Sequence, residues 1–300
     1  MKRLLVTISG AMFLLSAMLT SSALAQTSSM GDLPEDRQHL KRDREVVSPP
    51  VTEGAKENWQ VGLSATYMSG KYGTDVRTDT VYVPLSIRRY FQDGDITLVV
   101  PYVRVTSNGS VTFVNGVPTR VQTAGSTGRT THEGLGDVVL QGRYYIVNDR
   151  DYVPAIALTA HVKAPTANAT EGLGTGDWDE GIGAEVSKFF AESWVVFLDA
   201  GYSVIGNPTK VIGRPGGVPL DHQWWNYDAG LGYYFTKALF GSAFYEEWRA
   251  LVPGTVNPRD ALVSFTYKVT QMVRLNLTLE KGLSHDAPEY GVTLGTSLRF

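Results

Sequence analysis

Along residues 59–68, WQVGLSATYM, the side chains of Val61, Leu63, Ala65 and Tyr67 fall on one side of an extended backbone, and Gln60, Gly62, Ser64 and Thr66 fall on the other. Successive side chains of a strand point to opposite faces, so this alternation specifies a strand with one oily and one polar face. The same texture returns in residues 80–90, where Val81, Val83, Leu85 and Ile87 oppose Tyr82, Ser86 and Arg88. Residues 96–106, 136–147, 152–165 and 180–190 continue it, less cleanly around Pro101 and Pro154. It is clear again in 194–204, 223–235, 260–270 and 273–284, the last setting Leu275, Leu277 and Leu279 against Arg274, Asn276, Thr278 and Glu280. Residues 239–251 are also strand-like, although the adjacent Glu246 and Glu247 force one carboxylate toward the oily face or mark a bulge. With the terminal run 290–300, YGVTLGTSLRF, the pattern predicts about twelve strands.

The connections carry a second regularity. Those at 92–95, 148–151, 191–193, 236–238 and 271–272 are tight, and those at 111–133, 167–179, 206–222, 252–259 and 285–289 are longer, in strict alternation. A lipocalin or sandwich has no reason to sort its connections by parity, whereas an outer-membrane barrel has short periplasmic turns at one rim and long external loops at the other. The expected fold is therefore all-β, a transmembrane antiparallel β-barrel of about twelve strands with periplasmic termini. Closure follows from the solvent, because unpaired backbone groups cannot be left in lipid. The last strand must then pair with the first, and the regular tail is a closing seam rather than an exposed edge.

The first 25 residues do not share this pattern. Lys2 and Arg3 precede an uncharged apolar stretch and the small-x-small Ala23-Leu24-Ala25, a signal peptide with cleavage between Ala25 and Gln26. Residues 26–57 are polar, charged in both signs and broken by Pro49-Pro50, as a flexible periplasmic arm would be. Residues 58–300 form the barrel. The absence of cysteine excludes a lipoprotein, disulfides and thiolate metal sites. Loss of Lys2 and Arg3 lowers the formal charge of -3 by two, and this mild acidity argues against a nucleic-acid partner.

The inward positions define what the barrel can do. Candidate lumen-lining residues are Arg88, Arg104, Asp137, Arg143, His161, Lys163, Glu185, Asp199, Asp228, Lys268, Arg274, Glu280 and Arg299. Charges of both signs inside a barrel need water or one another. Either they fill a modest lumen as an ion-pair network, or they line a polar conduit, and twelve strands lie between the side-chain-filled and the water-filled sizes. Trp59, Trp194, Trp224, Trp225, Trp248 and Tyr290 lie near strand ends, where they form an interfacial girdle rather than a ligand-stacking site. The nearest catalytic constellations, Ser284-His285-Asp286 and His132-Glu133, are loop residues without a nucleophile motif, so no enzyme activity is expected. The acidic loop 171–180 lacks regular oxygen-ligand spacing, and no motif calls for a cofactor or a metal.

The run GLGDVVLQGRYYI at 134–146, followed by PAIALTAHVKAPTANATEGLGTGDWD at 154–179, resembles the central signature of the outer-membrane transporters named for the MetA pathway of phenol degradation. VPLSIRRYF, VVPYVRVT and EKGLSHDAPEYG resemble the same family, so the likeness spans nearly the whole mature chain. It implies a Gram-negative outer-membrane channel, distantly similar to long-chain fatty-acid and aromatic-hydrocarbon channels, for passive uptake of small molecules, aromatic or hydrophobic ones included. Those relatives have fourteen strands and an N-terminal hatch, whereas this chain offers about twelve strands and a charged arm. A closed structural or adhesive barrel is the alternative, and a lipid-modifying barrel a third. The expected partners are outer-membrane lipid and lipopolysaccharide, an unknown small-molecule substrate, and the barrel-assembly machinery, for which the terminal Phe300 resembles the recognition signal.

Overall fold

The structure, a computed structural model, describes residues 59–121, 128–150, 152–191, 193–206 and 220–300. The expected signal peptide and arm lie outside the described residues. The strands are β1 (Trp59–Gly70), β2 (Thr78–Phe91), β3 (Gly94–Ser107), β4 (Val111–Val114), β5 (Val117–Arg120), β6 (Thr130–Leu135), β7 (Val138–Val147), β8 (Ala155–Ala164), β9 (Asp179–Phe190), β10 (Trp194–Ile205), β11 (Gln223–Tyr234), β12 (Leu239–Trp248), β13 (Arg259–Lys268), β14 (Val273–Gly282) and β15 (Tyr290–Arg299). β6 and β7 both pair with β3 and are two halves of one stave, while β4 and β5 form a hairpin of their own. The remaining strands pair only with their neighbours, all antiparallel, and β1 pairs with β15. The result is a closed barrel of twelve staves.

The seam is continuous from Gln60↔Arg299 to Ser69↔Tyr290. Beyond it Trp59 N–H donates to Phe300 O at 2.8 Å and Phe300 N–H donates to Trp59 O at 2.9 Å. Both strand termini lie on the rim that carries the short turns. The outward positions are apolar, with Leu63, Leu140, Leu198, Leu231, Leu275 and Leu294 all exposed, whereas the inward positions mix charged and polar side chains with buried apolar ones, among them a cluster of Val195, Phe197 and Phe240. Aromatic pairs mark both edges of the apolar band. Phe190–Trp194 and Trp194–Tyr233 lie at the short-turn rim, Tyr67–Tyr290 and Trp225–Tyr227 at the long-loop rim. This distribution is the one a bilayer selects.

Two expectations change and one open alternative is decided. The fourth stave begins at Thr130, not at Gly136, and is interrupted at Gly136 and Asp137. Of the two alternatives for Glu246 and Glu247, the first holds and no bulge forms, because the β11–β12–β13 register runs through both. Glu247 takes the outer face, where Tyr227 and Tyr245 donate hydroxyls to it at 2.7 and 3.0 Å and Asn257 donates at 2.7 Å. Trp224 and Trp248 are not girdle residues. They face inward, fully buried and stacked at 5.0 Å, because they sit on the inner parity of β11 and β12.

Candidate functional site

The bore is the candidate site, and the strand parity assigns its lining. Arg88, Asp137, Arg143, His161, Lys163, Glu185, Asp199, Asp228, Lys268, Arg274, Glu280 and Arg299 occupy inner positions. Arg104 does not. Its side chain is 54% exposed on the outer face, where it meets Glu133 at 3.5 Å. Near that rim the alternation is inverted, so polarity misassigns its side: Val103 and Val105 point inward, while Arg104 and Thr106 point outward. Four inner carboxylates escaped the sequence reading: Asp95 and Asp179 fell into connections, Asp260 opened its strand, and Glu246 was ambiguous in facing. Register against Arg143, Lys163 and Asp228 places them.

Charged inner residues are joined across staves. Asp95 accepts from Arg143 at 3.3 Å and lies 3.6 Å from Arg88, and Arg143 reaches Glu185 at 2.8 Å. The stave between them carries Ala157 and Thr159 inward, small enough to let the guanidinium pass. Arg299 lies over the Tyr90 ring at 4.3 Å, and the Tyr90 hydroxyl donates to Gln60 at 2.8 Å.

The three motifs singled out in sequence meet at one knot. Lys163, without solvent contact, binds Asp137 at 2.8 Å and Asp179 at 3.1 Å, and it donates to Thr175 and to the Asp177 carbonyl. Asp137 also accepts from Ala167 N–H at 3.0 Å. Thr166 repairs the interrupted stave: its hydroxyl accepts from Val138 N–H at 2.9 Å and donates to Gly136 O at 2.8 Å. GLGD, KAPT and GLGTGD are therefore three sides of a structural clasp at the long-loop rim.

The clasp seats the hairpin. Asn115 and Gly116, at φ 49° and 83°, make the turn that an Asn-Gly pair favours. That dipeptide between Val-rich runs was the available signal for this element. Thr112 donates to the carbonyls of Gly172 and Gly174 in the clasp loop, at 3.0 and 3.2 Å. Phe113 stacks on Tyr82 at 5.6 Å within a cluster that includes Met68, Val103, Val105 and Leu173. Its neighbour Val114 packs instead with Ile205, Trp224, Trp248 and Leu251. β2 and β11 are six staves apart in either direction round the ring, so the hairpin crosses the bore. Arg120 then pairs with Asp286 at 3.2 Å, against Gly73, where a Cβ would collide with both partners. Burial pushes the Asp286 carboxyl above its usual range, with Arg120 pulling the other way. A cavity of about 650 Å³ opens beside this pair between residues 71–75, 254–256 and 284–289. His285 lines it, while His132 sits on β6 with Thr130 at 3.1 Å.

An outer membrane channel from Pseudomonas putida F1 superposes with a TM-score of 0.62 at 16% identity, covering 85% of this chain and 100% of that one, which shows the fold. The NanC porin gives 0.48 at 10% identity over 80% of this chain and 100% of its own. The CymD monoaromatic hydrocarbon channel gives 0.45 at 10% identity over 82% and 89%. No curated protein matches the sequence. Residues 92–300 match the family described as "Putative MetA-pathway of phenol degradation", and the chain belongs to that family.

Proposed function

We propose that the protein is a Gram-negative outer-membrane channel that admits small molecules, aromatic or hydrophobic ones included, by passive diffusion. One observation carries the reading: a closed twelve-stave cylinder with an apolar belt outside and, inside, a wall that carries many charged and polar side chains beside apolar clusters. Such a wall is costly without water, and a protein needing only a stable membrane plug could have filled it with apolar side chains. The family description and the fold shared with a solved channel support it. In this reading the short turns and both termini are periplasmic, and the β4–β5 hairpin closes the external half of the bore.

The hairpin also supports a second reading, a permanently closed structural or adhesive barrel. Liposome swelling with refolded protein and a size series of sugars and aromatic alcohols separates the two. Permeation by any of these solutes supports the channel, and none at all sinks it.

A further inference from the structure

Three glycines leave a bare patch on the inner wall of β9 and β10. Gly183 on β9 is registered with Gly201 on β10, and Gly201 with Asn226 on β11. In the next inner row toward the long-loop rim, Gly181 is registered with Ser203, and Ser203 with Trp224. Alternation turns all six toward the bore, and Gly181 and Gly201 are half-buried.

The side chains that border this patch carry hydrogen-bonding capacity the protein does not use. Ser203 and Trp224 lack solvent contact and Asn226 is 2% exposed, yet the Ser203 hydroxyl, the Trp224 Nε1 and both amide atoms of Asn226 have no hydrogen-bond partner. Buried polar groups are normally paired, so three registered neighbours left unpaired in one place point to an occupant. Their chemistry says what kind. The indole N–H donates, the hydroxyl donates and accepts, and the amide sets an acceptor beside a donor. Two hydroxyls on adjacent carbons match that amide edge, since each can donate and accept. None of the three side chains is charged, so a charged ligand would find no counter-charge among them. Asp179, in the following row, is taken by Lys163.

The β4–β5 hairpin sits over the same border. Val114 packs on Trp224 and Trp248, and the amide of Asn115 beside it is also unbonded. An apolar residue seated against unspent polar groups is opposed by their lost hydrogen bonds, and a solute that supplies those bonds competes with it.

We propose that Ser203, Trp224 and Asn226 form a binding site for a small uncharged polyol, a solute with hydroxyls on adjacent carbons, and that the hairpin tip and the solute compete for it. The proposal rests on the channel reading and names one class of solute for it. Binding is reversible, with no bond made or broken.

Calorimetric titration of the refolded protein in amine-oxide micelles, with vicinal cyclohexanediol beside cyclohexanol, tests it. The diol is expected to bind saturably and about tenfold more tightly than the alcohol, and Asn226→Leu to remove that difference. Ser203→Ala is expected to weaken the diol several-fold. Because an apolar side chain relieves an unpaired buried amide, Asn226→Leu should leave the urea midpoint unchanged or raise it. A lowered midpoint makes the amide structural and overturns the proposal. Replacing residues 111–120 by a Gly-Ser linker is expected to tighten diol binding several-fold, and an unchanged or weaker affinity overturns the proposal. Equal binding of diol and alcohol, or saturable binding of neither, also overturns it and leaves these groups to water. Liposome swelling keeps the two readings apart: permeation without diol binding sinks the site and leaves the channel, whereas diol binding without permeation by any solute leaves the site and sinks the channel.

Discussion

Lys163 carries two carboxylates in a place water does not reach, and among the described residues Asp137 and Asp179 pair with no other cation. Removing one partner of a buried ion pair leaves an uncompensated charge and costs about 3–5 kcal/mol. Lys163→Met should lower the urea midpoint of the refolded barrel accordingly, as read from heat-modifiable gel mobility. A loss below about 1 kcal/mol would contradict the clasp assignment. The residues of the clasp were visible in the sequence as motifs, but their joining was not, since Asp137 and Asp179 come together only once β7, β8 and β9 are in register. Alternation placed most inner charges for a simple reason: parity is a property of the backbone. It failed at Arg104 because the apolar face of β3 turns inward there, with Val103 and Val105, and at Trp224 and Trp248 because an aromatic near a strand end suits either the membrane interface or a packed interior.

The β4–β5 hairpin is the element whose position decides whether the bore is open. Its tip is held by apolar contacts on opposite walls, yet Asn115, Trp224 and Ser203 each keep buried polar atoms without partners. Each such atom costs about 1–3 kcal/mol, so water reaching the tip offsets part of what opening loses. The Arg120–Asp286 pair adds a pH dependence whose sign is fixed by burial. Among described groups the Asp286 side chain meets Arg120, Thr255 and His285, and its carboxyl lies above its usual range with the hairpin in place. In solvent it returns to about 3.9. The closed form therefore binds the proton more tightly, so closure strengthens as pH falls through that window and weakens above it. Conductance should fall as the pH drops through the raised range of Asp286 toward about 3.9, and Asp286→Asn should abolish that component. An unchanged pH response in the variant would remove Asp286 from the account. The long loop was legible in sequence as a loop, but its inward path was not. Only the Asn115-Gly116 turn hinted at a second hairpin, and nothing local says that it folds into the bore rather than over it.

At the scale of the molecule, twelve staves, the parity of the connections and the pairing of the tail with Trp59–Gly70 all follow from one requirement, that no backbone group be left unpaired in lipid. That requirement acts on every strand, which is why the architecture could be read from alternation and loop length. The polar content of the bore depends on contacts between distant strands and could be read only in part. Phe300 completes the seam with one backbone pair, and its ring is half exposed. Deleting it should impair outer-membrane assembly far more than it alters conductance, as measured by surface-protease accessibility in cells and by bilayer recording of refolded protein. Normal insertion of the truncated protein would argue against its role as an assembly signal. In the channel reading the bore is a conduit closed by its own hairpin. The most direct measurement is single-channel conductance of refolded wild type beside a variant in which residues 111–120 are replaced by a short Gly-Ser linker. The account predicts small or intermittent currents in the wild type and a stable, several-fold larger conductance in the variant. Silence from both proteins would contradict it.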